Sequence, residues 1–306
     1  MRTGWRKAAL NQGWTYRDHV PLEASGCLLS EWMAQRYRHS PAVLWRDRIA
    51  NGELDCNGQP LAADVALSGA EQIHWRRPPW LEPAIPDQWD TIHDDGDVLV
   101  INKPSGLPVV PGGGFLRHTL TALLESTGAQ PVHRLGRHTS GLQVCARNPK
   151  TRASLSKQFR PEGGCRKVYQ AWSRRVPELD HRGRLTLNTD VVERQHPLLG
   201  WIWGPEPIGD EPVRKRLSAH SELRLLERTA FADRLEVTIT TGRPHQIRIH
   251  LAQLGSPLLG DPLYQLNRAI SASATPGDGG YLLHAWRLAG LTQVSQADLC
   301  AEPPFD

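Results

Sequence analysis

The chain has 306 residues, a formal net charge of +4, 39% hydrophobic and 7% aromatic side chains, which suits two unequal domains with real cores. Its five cysteines (Cys27, Cys56, Cys145, Cys165, Cys300) are odd in number, scattered and never spaced Cys-x-x-Cys, which argues against a disulfide framework or zinc ribbon and for a reducing compartment. No apolar run reaches the roughly 18 residues of a membrane span, and MRTGWRKAALNQGW lacks the apolar core of a signal peptide, so a cytoplasmic protein is expected.

Residues 1–18 read as polar and irregular. Leu28, Leu29, Trp32, Met33 and Tyr37 then recur at helical spacing. A second short helix is expected from about Ser40 to Ala50, with Pro41 in its first turn. Asn57-Gly58 between strand-like runs signals a hairpin. Arg36, Arg38, Arg46 and Arg48 lie on the two helices, and the segment could equally be a plain packing module. The proline-dense stretch Arg76 to Pro86 discourages regular structure. The expected organisation is therefore a small module at 1–75, a linker at 76–87 and a main domain at 88–306.

In the main domain, Val98 to Ile101 reads as a buried strand leading into a Lys103-Pro104-Ser105-Gly106 turn. Gly112-Gly113-Gly114 has neither the spacing nor the lysine of a phosphate-binding loop. Thr119 to Thr127 looks helical. Next comes PVHRLGRHTSGLQVCARN, Pro131 to Asn148. His133, Arg134, Arg137 and His138 surround Gly136, and Thr139, Ser140 and Gly141 lead into an alternating strand with Leu142, Val144 and Ala146. This is either a basic hairpin turn or a polar loop presented by a scaffold as a site. A helix with Ala153, Leu155 and Phe159 follows, then a strand from Lys167 to Trp172. Eleven Lys and Arg against one acid, Glu162, between Pro131 and Arg175 make either a solvated basic face or a surface for a polyanion such as RNA.

Val176 to Glu211 is rich in Pro and Gly and reads as loops and short strands, with Leu199, Trp201 and Trp203 as apolar anchors. Leu217 to Leu226 and Arg234 to Thr240 read as paired strands. In TGRPHQIRIHLAQLG, Gly242 turns the chain and Pro244 takes the first helical position. Ile247, Leu251 and Leu254 share one buried face. Arg243 and Arg248 fall near the N-terminus of that helix, where the dipole disfavours cations. A compensating carboxylate or RNA phosphate is therefore expected. His245 and His250 do not form a metal-binding spacing. A loop from Ser271 to Gly280 precedes a strand from Leu282 to Leu288, in which His284 reads as structural.

Taken together, these stretches resemble the RluA-type family of RNA pseudouridine synthases. Asn102-Lys103-Pro104-x-Gly106 resembles its first motif, and His133-Arg134-Leu135 with Thr139-Ser140-Gly141 its central one. Lys167-x-Tyr169-x-Ala171 and Thr241-Gly242-Arg243-x-His245-Gln246-Ile247-Arg248-x-His250-Leu251, continued by Gly260-Asp261-x-x-Tyr264, match two more. Residues in front of the main domain (Ser40, Ile49, Gly52, Asn57-Gly58, Gly69) resemble the small RNA-binding module of a small-subunit ribosomal protein. The resemblance implies an α+β fold: a mixed, mostly antiparallel sheet with flanking helices, preceded by a small α/β-hairpin module. It implies isomerisation of uridine in structured RNA, ribosomal or transfer, with no metal and no organic cofactor; a monomer is the default expectation. It assigns catalysis to Arg134, Tyr169, which stacks on the base, and Arg248. It assigns RNA contacts to His133, Arg137, Thr139, Lys103, Arg243, His245, Arg46 and Arg48.

One position departs from the family: Gly136 stands where the catalytic aspartate is expected. Glycine offers no lone pair or charge to the ribose, and losing a nucleophile costs on the order of 10⁴–10⁶ in rate. Two readings follow. Either an acid from elsewhere, Asp261 or Asp97, substitutes, or the chain is an RNA-binding or ribosome-assembly factor. Phosphoryl or hydride transfer has no motif behind it.

Overall fold

Leu29, Trp32 and Met33 on one helix and Trp45 and Ile49 on the next are spaced to share a buried face, and they build one of two separate cores. In this computed structural model, residues 4–179, 183–294 and 298–305 are described. The chain divides into a unit of residues 9–82 with 197–200 and a larger unit of residues 1–8, 83–196 and 201–306.

In the smaller unit, α1 (Leu29–Arg36) and α2 (Ala42–Ala50) share a core with a four-stranded sheet ordered Trp14–His19, Gln72–Arg77, Leu54–Cys56, Gln59–Pro60. The Asn57-Gly58 turn has φ of 51° and 81°, the left-handed pair that closes a two-residue hairpin. Pro41 is extended and caps α2 from outside rather than entering its first turn. The strand at Trp14–His19 was hidden in the sequence because it lies at the sheet's edge and buries only Asp18. The proline-dense stretch is also less irregular than its composition suggests. Leu81–Glu82 pairs with Ala9–Leu10, and Ile85–Pro86 with Trp5–Arg6. Two-residue edge ladders tolerate proline because the missing N–H faces away from the partner.

The larger unit is built on an eleven-stranded sheet. Its main path runs Gly200–Gly204, Arg184–His196, Val213–Arg228, Ala232–Ile239, Arg166–Arg174, Leu283–Ala289, Ser140–Ala146, Val98–Lys103, Asp90–Asp94, with Gln130–Pro131 and Asp298–Cys300 attached beside it. Among the described residues, the strand pairs whose register is defined are antiparallel except Ser140–Ala146 with Leu283–Ala289. The mixed, mostly antiparallel α+β architecture is the expected one. The loops and short strands expected at 176–211 include two sheet strands, Gly200–Gly204, which is short, and Arg184–His196, which at 13 residues is longer than expected. The Pro- and Gly-rich composition marks their ends rather than their bodies.

Three helices flank this sheet. Thr119 caps the short α3 (Leu120–Leu123) through its hydroxyl. Asn148 caps α4 (Pro149–Gln158), whose Leu155 packs in the cluster of Val98, Val100 and Val144. The third, α5 (Gln246–Gln253), is buried nearly all round. Ile247 and Leu251 pack with Leu235 and Val237, while Ile249 and Ala252 pack with Val191 and Tyr264. It begins two residues later than Pro244 suggests, because His245 adopts a left-handed backbone at φ 53° and ends the turn before it.

Candidate active site

The register of the sheet sets one lateral row that passes through the central motif. Lys103 faces Gly141, Gly141 faces Ala285, Ala285 faces Tyr169, and Tyr169 faces Val237. Gly141 is required there. Its φ is 105°, and a Cβ would lie 2.2 Å from the Ala285 carbonyl oxygen. Two inter-strand steps place the backbone of Tyr169 roughly 10 Å from the start of the motif strand.

The loop before that strand, residues 133–139, is tied from inside. The Lys103 ammonium is fully buried and donates to the carbonyls of Pro104, Leu107 and Arg137 at 2.9, 3.0 and 3.0 Å. Burial, with the Arg137 charge second, pushes its pKa down to about 7. All three donors of an ammonium are spent, so Lys103 holds the loop and does not reach solvent. His133, partly open to solvent, is also tied inward by its ring. Its ring stacks on Phe159 at 4.1 Å, and its Nε2 accepts from the Val144 N–H at 3.1 Å. Burial and then Lys167 push its pKa down to about 3. The Gln143 amide, fully buried, donates to the His133 carbonyl and accepts from the Leu135 N–H. The turn that follows is closed by Thr139 N–H to Gly136 O at 3.1 Å.

Three groups of this loop face outward or sideways. Arg134 is exposed. The Arg137 guanidinium lies 4.7 Å over the Phe115 ring. Burial lowers its pKa, opposed by the charges of Asp278 and Tyr281. Burial and the cations Arg137, Lys103 and Arg248 hold His138 down to about 4, again opposed by Asp278. Gly136 has an ordinary backbone, so conformation does not demand a glycine there. Space is the constraint: a Cβ would come within 2.9 Å of the Tyr281 hydroxyl and 3.2 Å of the Thr139 hydroxyl.

Tyr281 connects the loop to α5. The Arg248 guanidinium sits 4.2 Å over its ring and 4.8 Å over that of Tyr264. Arg248 makes a two-pronged pair with Asp261, Nε to Oδ2 at 2.7 Å and Nη2 to Oδ1 at 2.8 Å, and both side chains are almost wholly buried. Burial opposes the charge on Arg248, but the Asp261 bonds and the two phenol rings outweigh it and raise its pKa. Asp261 also accepts from the N–H groups of Leu263 and Tyr264. The expected anion beside Arg248 is therefore this carboxylate. His245 bonds through Nδ1 to the Tyr264 hydroxyl at 2.7 Å. That hydroxyl donates to the Trp203 carbonyl, so Nδ1 carries the proton. Burial and Arg248 keep His245 neutral, its pKa pushed down to about 3.

The structure thus brings together Gly136, Thr139, Tyr281, Arg248, Asp261, Tyr264 and His245, with half-buried Tyr169 packed between the clusters that hold Tyr281 and Leu135. Burial raises the Tyr169 pKa, so it stays a phenol. Arg243 lies apart, its Nε donating to the Ser218 carbonyl. Arg46 and Arg48 belong to the smaller unit, where Arg46 is exposed and Arg48 is clamped against Trp45 and Trp75 at 4.3 and 4.6 Å. Asp97 is pinned by the Asn148 N–H and Thr151 hydroxyl beside the Val98–Ala146 pair, at the opposite end of the strand from Gly141. His284 is structural, bridging the Ser140 hydroxyl and the Ala301 carbonyl. Sequence reasoning missed Tyr281 and Asp278. The signal available was the run Pro276-Gly-Asp-Gly-Gly-Tyr281 directly before the closing strand. Among the described residues no cluster could hold a metal ion, and no helix is long and apolar enough to cross a membrane.

Comparison with known proteins bears directly on this arrangement. Residues 97–253, half of the chain, match the family model for RNA pseudouridylate synthase. An uncharacterized RNA pseudouridine synthase of a Synechocystis strain is 39% identical over 90% of this chain and 93% of its own length. RNA pseudouridine synthase 5 of Arabidopsis thaliana is 30% identical over 93% of this chain and 90% of its own. In fold, the chain resembles the solved structure of human RNA pseudouridylate synthase domain containing 4 (TM-score 0.55, 24% identity, 70% of this chain and 88% of that one). With its motif strand, its α5 arginine and its sheet row arranged around one loop, the chain belongs to the RNA pseudouridylate synthase family.

Proposed function

We propose that this chain isomerises uridine to pseudouridine in a structured RNA, ribosomal or transfer, as a cytoplasmic monomer. Residues 9–82 would supply a second grip on the RNA. The observation that carries the reading is the convergence of Arg248, through the Tyr281 ring, on the space above Gly136. Tyr169 lies in the sheet row that starts the motif strand. A tyrosine ring stacked on an extruded base is worth roughly 1–3 kcal/mol, and Tyr169 is the residue proposed for it. Exposed Arg134 and half-exposed Arg137 and Arg243 suit phosphates. Thr139 and His245 support the loop and Tyr264 respectively, at one remove from the RNA. Five cysteines free of disulfides favour a reducing compartment. The reaction is an isomerisation, so no electrons are exchanged and the proposal requires no cofactor.

The test is direct. Purified chain is incubated with unmodified transcripts of transfer RNA and of large-subunit ribosomal RNA, and pseudouridine is located by carbodiimide-adduct stops in primer extension. Stops at discrete uridines are expected. RNA that is bound tightly but left unmodified would favour the binding or assembly factor instead.

A further inference from the structure

A carboxylate missing from the motif loop need not be missing from the site, and three acids compete to replace it. Asp97 lies at the wrong end of its strand. Asp261 is fully buried, and both its oxygens are engaged by Arg248. Asp278 differs from both. It belongs to the segment between Ser271 and Gly280, which is laid against the motif loop and α5. Arg248 Nη1 donates to the Pro276 carbonyl at 3.2 Å. Gly279 is packed so closely on the His138 ring that a Cβ there would come within 2.2 Å of it. Tyr281, three residues on, holds its hydroxyl over Gly136. Asp278 sits between these anchors, and its charge acts on both Arg137 and His138.

The state of its oxygens fits a reactive role. Oδ2 accepts from the Thr275 N–H at 2.7 Å, which fixes the side chain. Oδ1 has no hydrogen-bond partner among the described residues, and the residue is partly open to solvent. On the two residues that its charge acts on, Arg137 Nε and His138 Nε2 are buried without a hydrogen-bond partner, and the His138 ring packs on the next residue, Gly279. Buried polar atoms are nearly always paired, so two orphans on the neighbours that this carboxylate acts on mark a place where a polar ligand completes the set.

We infer that Asp278, delivered by the segment before the closing strand, supplies the carboxylate that Gly136 lacks and is a catalytic residue of this chain. The inference rests on the reading that the chain isomerises uridine. Asp278 Oδ1 bonds to C1′ of the ribose as the C1′–N1 bond breaks, and that electron pair leaves with the uracil ring. The ring turns, C5 forms a new bond to C1′, and the carboxylate departs with its own pair. The C5 proton is lost and N1 gains one, so atoms and charge balance with no co-reactant. Tyr281 fills the volume over Gly136 and is a positioning residue for the same segment.

The experiment compares wild type, Asp278→Asn and a surface control, Asp210→Asn, in single-turnover reactions with unmodified ribosomal and transfer RNA transcripts. Filter-binding affinity and melting temperature are measured alongside. Asn keeps an acceptor for the Thr275 N–H, so the segment should stay folded. If it melts early, Asp278→Ser replaces it. The expected result is a loss of on the order of 10³-fold or more in rate, with RNA affinity kept within a few-fold and Asp210→Asn unaffected. Partial return of turnover in Asp278→Ala on adding formate would support the same assignment. Turnover by Asp278→Asn within about five-fold of wild type would overturn it while leaving the synthase reading intact. A wild type that binds these RNAs and modifies none would overturn both.

Discussion

At Gly136 the missing side chain reflects a neighbour, not a turn. Its backbone accepts any residue, and the Tyr281 and Thr139 hydroxyls occupy the space. Gly136→Ala should therefore cost only about 1 kcal/mol, by crowding. Tyr281→Phe should recover most of it, because the oxygen being crowded is gone. Urea denaturation of both single variants and the double reads this as a coupling; additive losses would contradict the geometry. His133 gives a second residue-level prediction. Its pKa falls from 6.5 to about 3 in the fold. Between those values the unfolded chain binds a proton that the native ring refuses. Stability therefore declines as pH drops from about 6.5 toward about 3, and this contribution is fully present above that window. His133→Phe keeps the stack on Phe159 and removes the titration. Its melting temperature should fall less between about pH 7 and about pH 5 than that of wild type, although it starts lower for want of an acceptor for Val144 N–H.

At the scale of elements, the parallel pairing of Ser140–Ala146 with Leu283–Ala289 joins the motif loop to the segment carrying Asp278 and Tyr281. It consists of two residue pairs, Ser140–His284 and Gly141–Ala285. A Cβ at Gly141 would meet backbone rather than a flexible side chain. Gly141→Ala should thus cost about 3 kcal/mol or more and abolish turnover even where the protein still folds. The sequence already revealed the motif strand, both paired strands at 213–239 and α5, because their alternation or helical spacing is uninterrupted. It concealed Trp14–His19, an edge strand whose one buried side chain is Asp18, and Arg184–His196, whose neighbouring prolines and glycines dominate the composition. The pairing of Arg248 with Asp261 lay within one motif run and was open to inference. The meeting of Gly136 with Tyr281 was not, since it depends on a parallel step in the sheet, Ser140–Ala146 with Leu283–Ala289. Lys103 misled for a related reason: a lysine in a polar turn reads as solvent-facing until the three carbonyls around it are known.

Across the whole molecule, positive charge is useful to RNA only where no carboxylate or carbonyl has already claimed it. Arg36 is paired with Asp18, Arg76 with Asp55 and Arg147 with Asp94. Lys103 is internal, whereas Arg134 and Arg46 are exposed and hold no acid among the described residues. Each phosphate contact releases counterions, so affinity should fall linearly with the logarithm of salt concentration, with a slope near −0.9 per contact on duplex and about −0.7 on single strands. Arg46→Ala and Arg134→Ala should each weaken binding similarly across RNA sequences and flatten that slope by about one contact. Arg36→Ala removes a formal charge that Asp18 already neutralises and should leave the slope unchanged. Filter binding over a salt series separates the cases. If all three variants shifted the slope equally, net charge rather than placed cations would be holding the RNA, and a second grip by residues 9–82 would lose its basis.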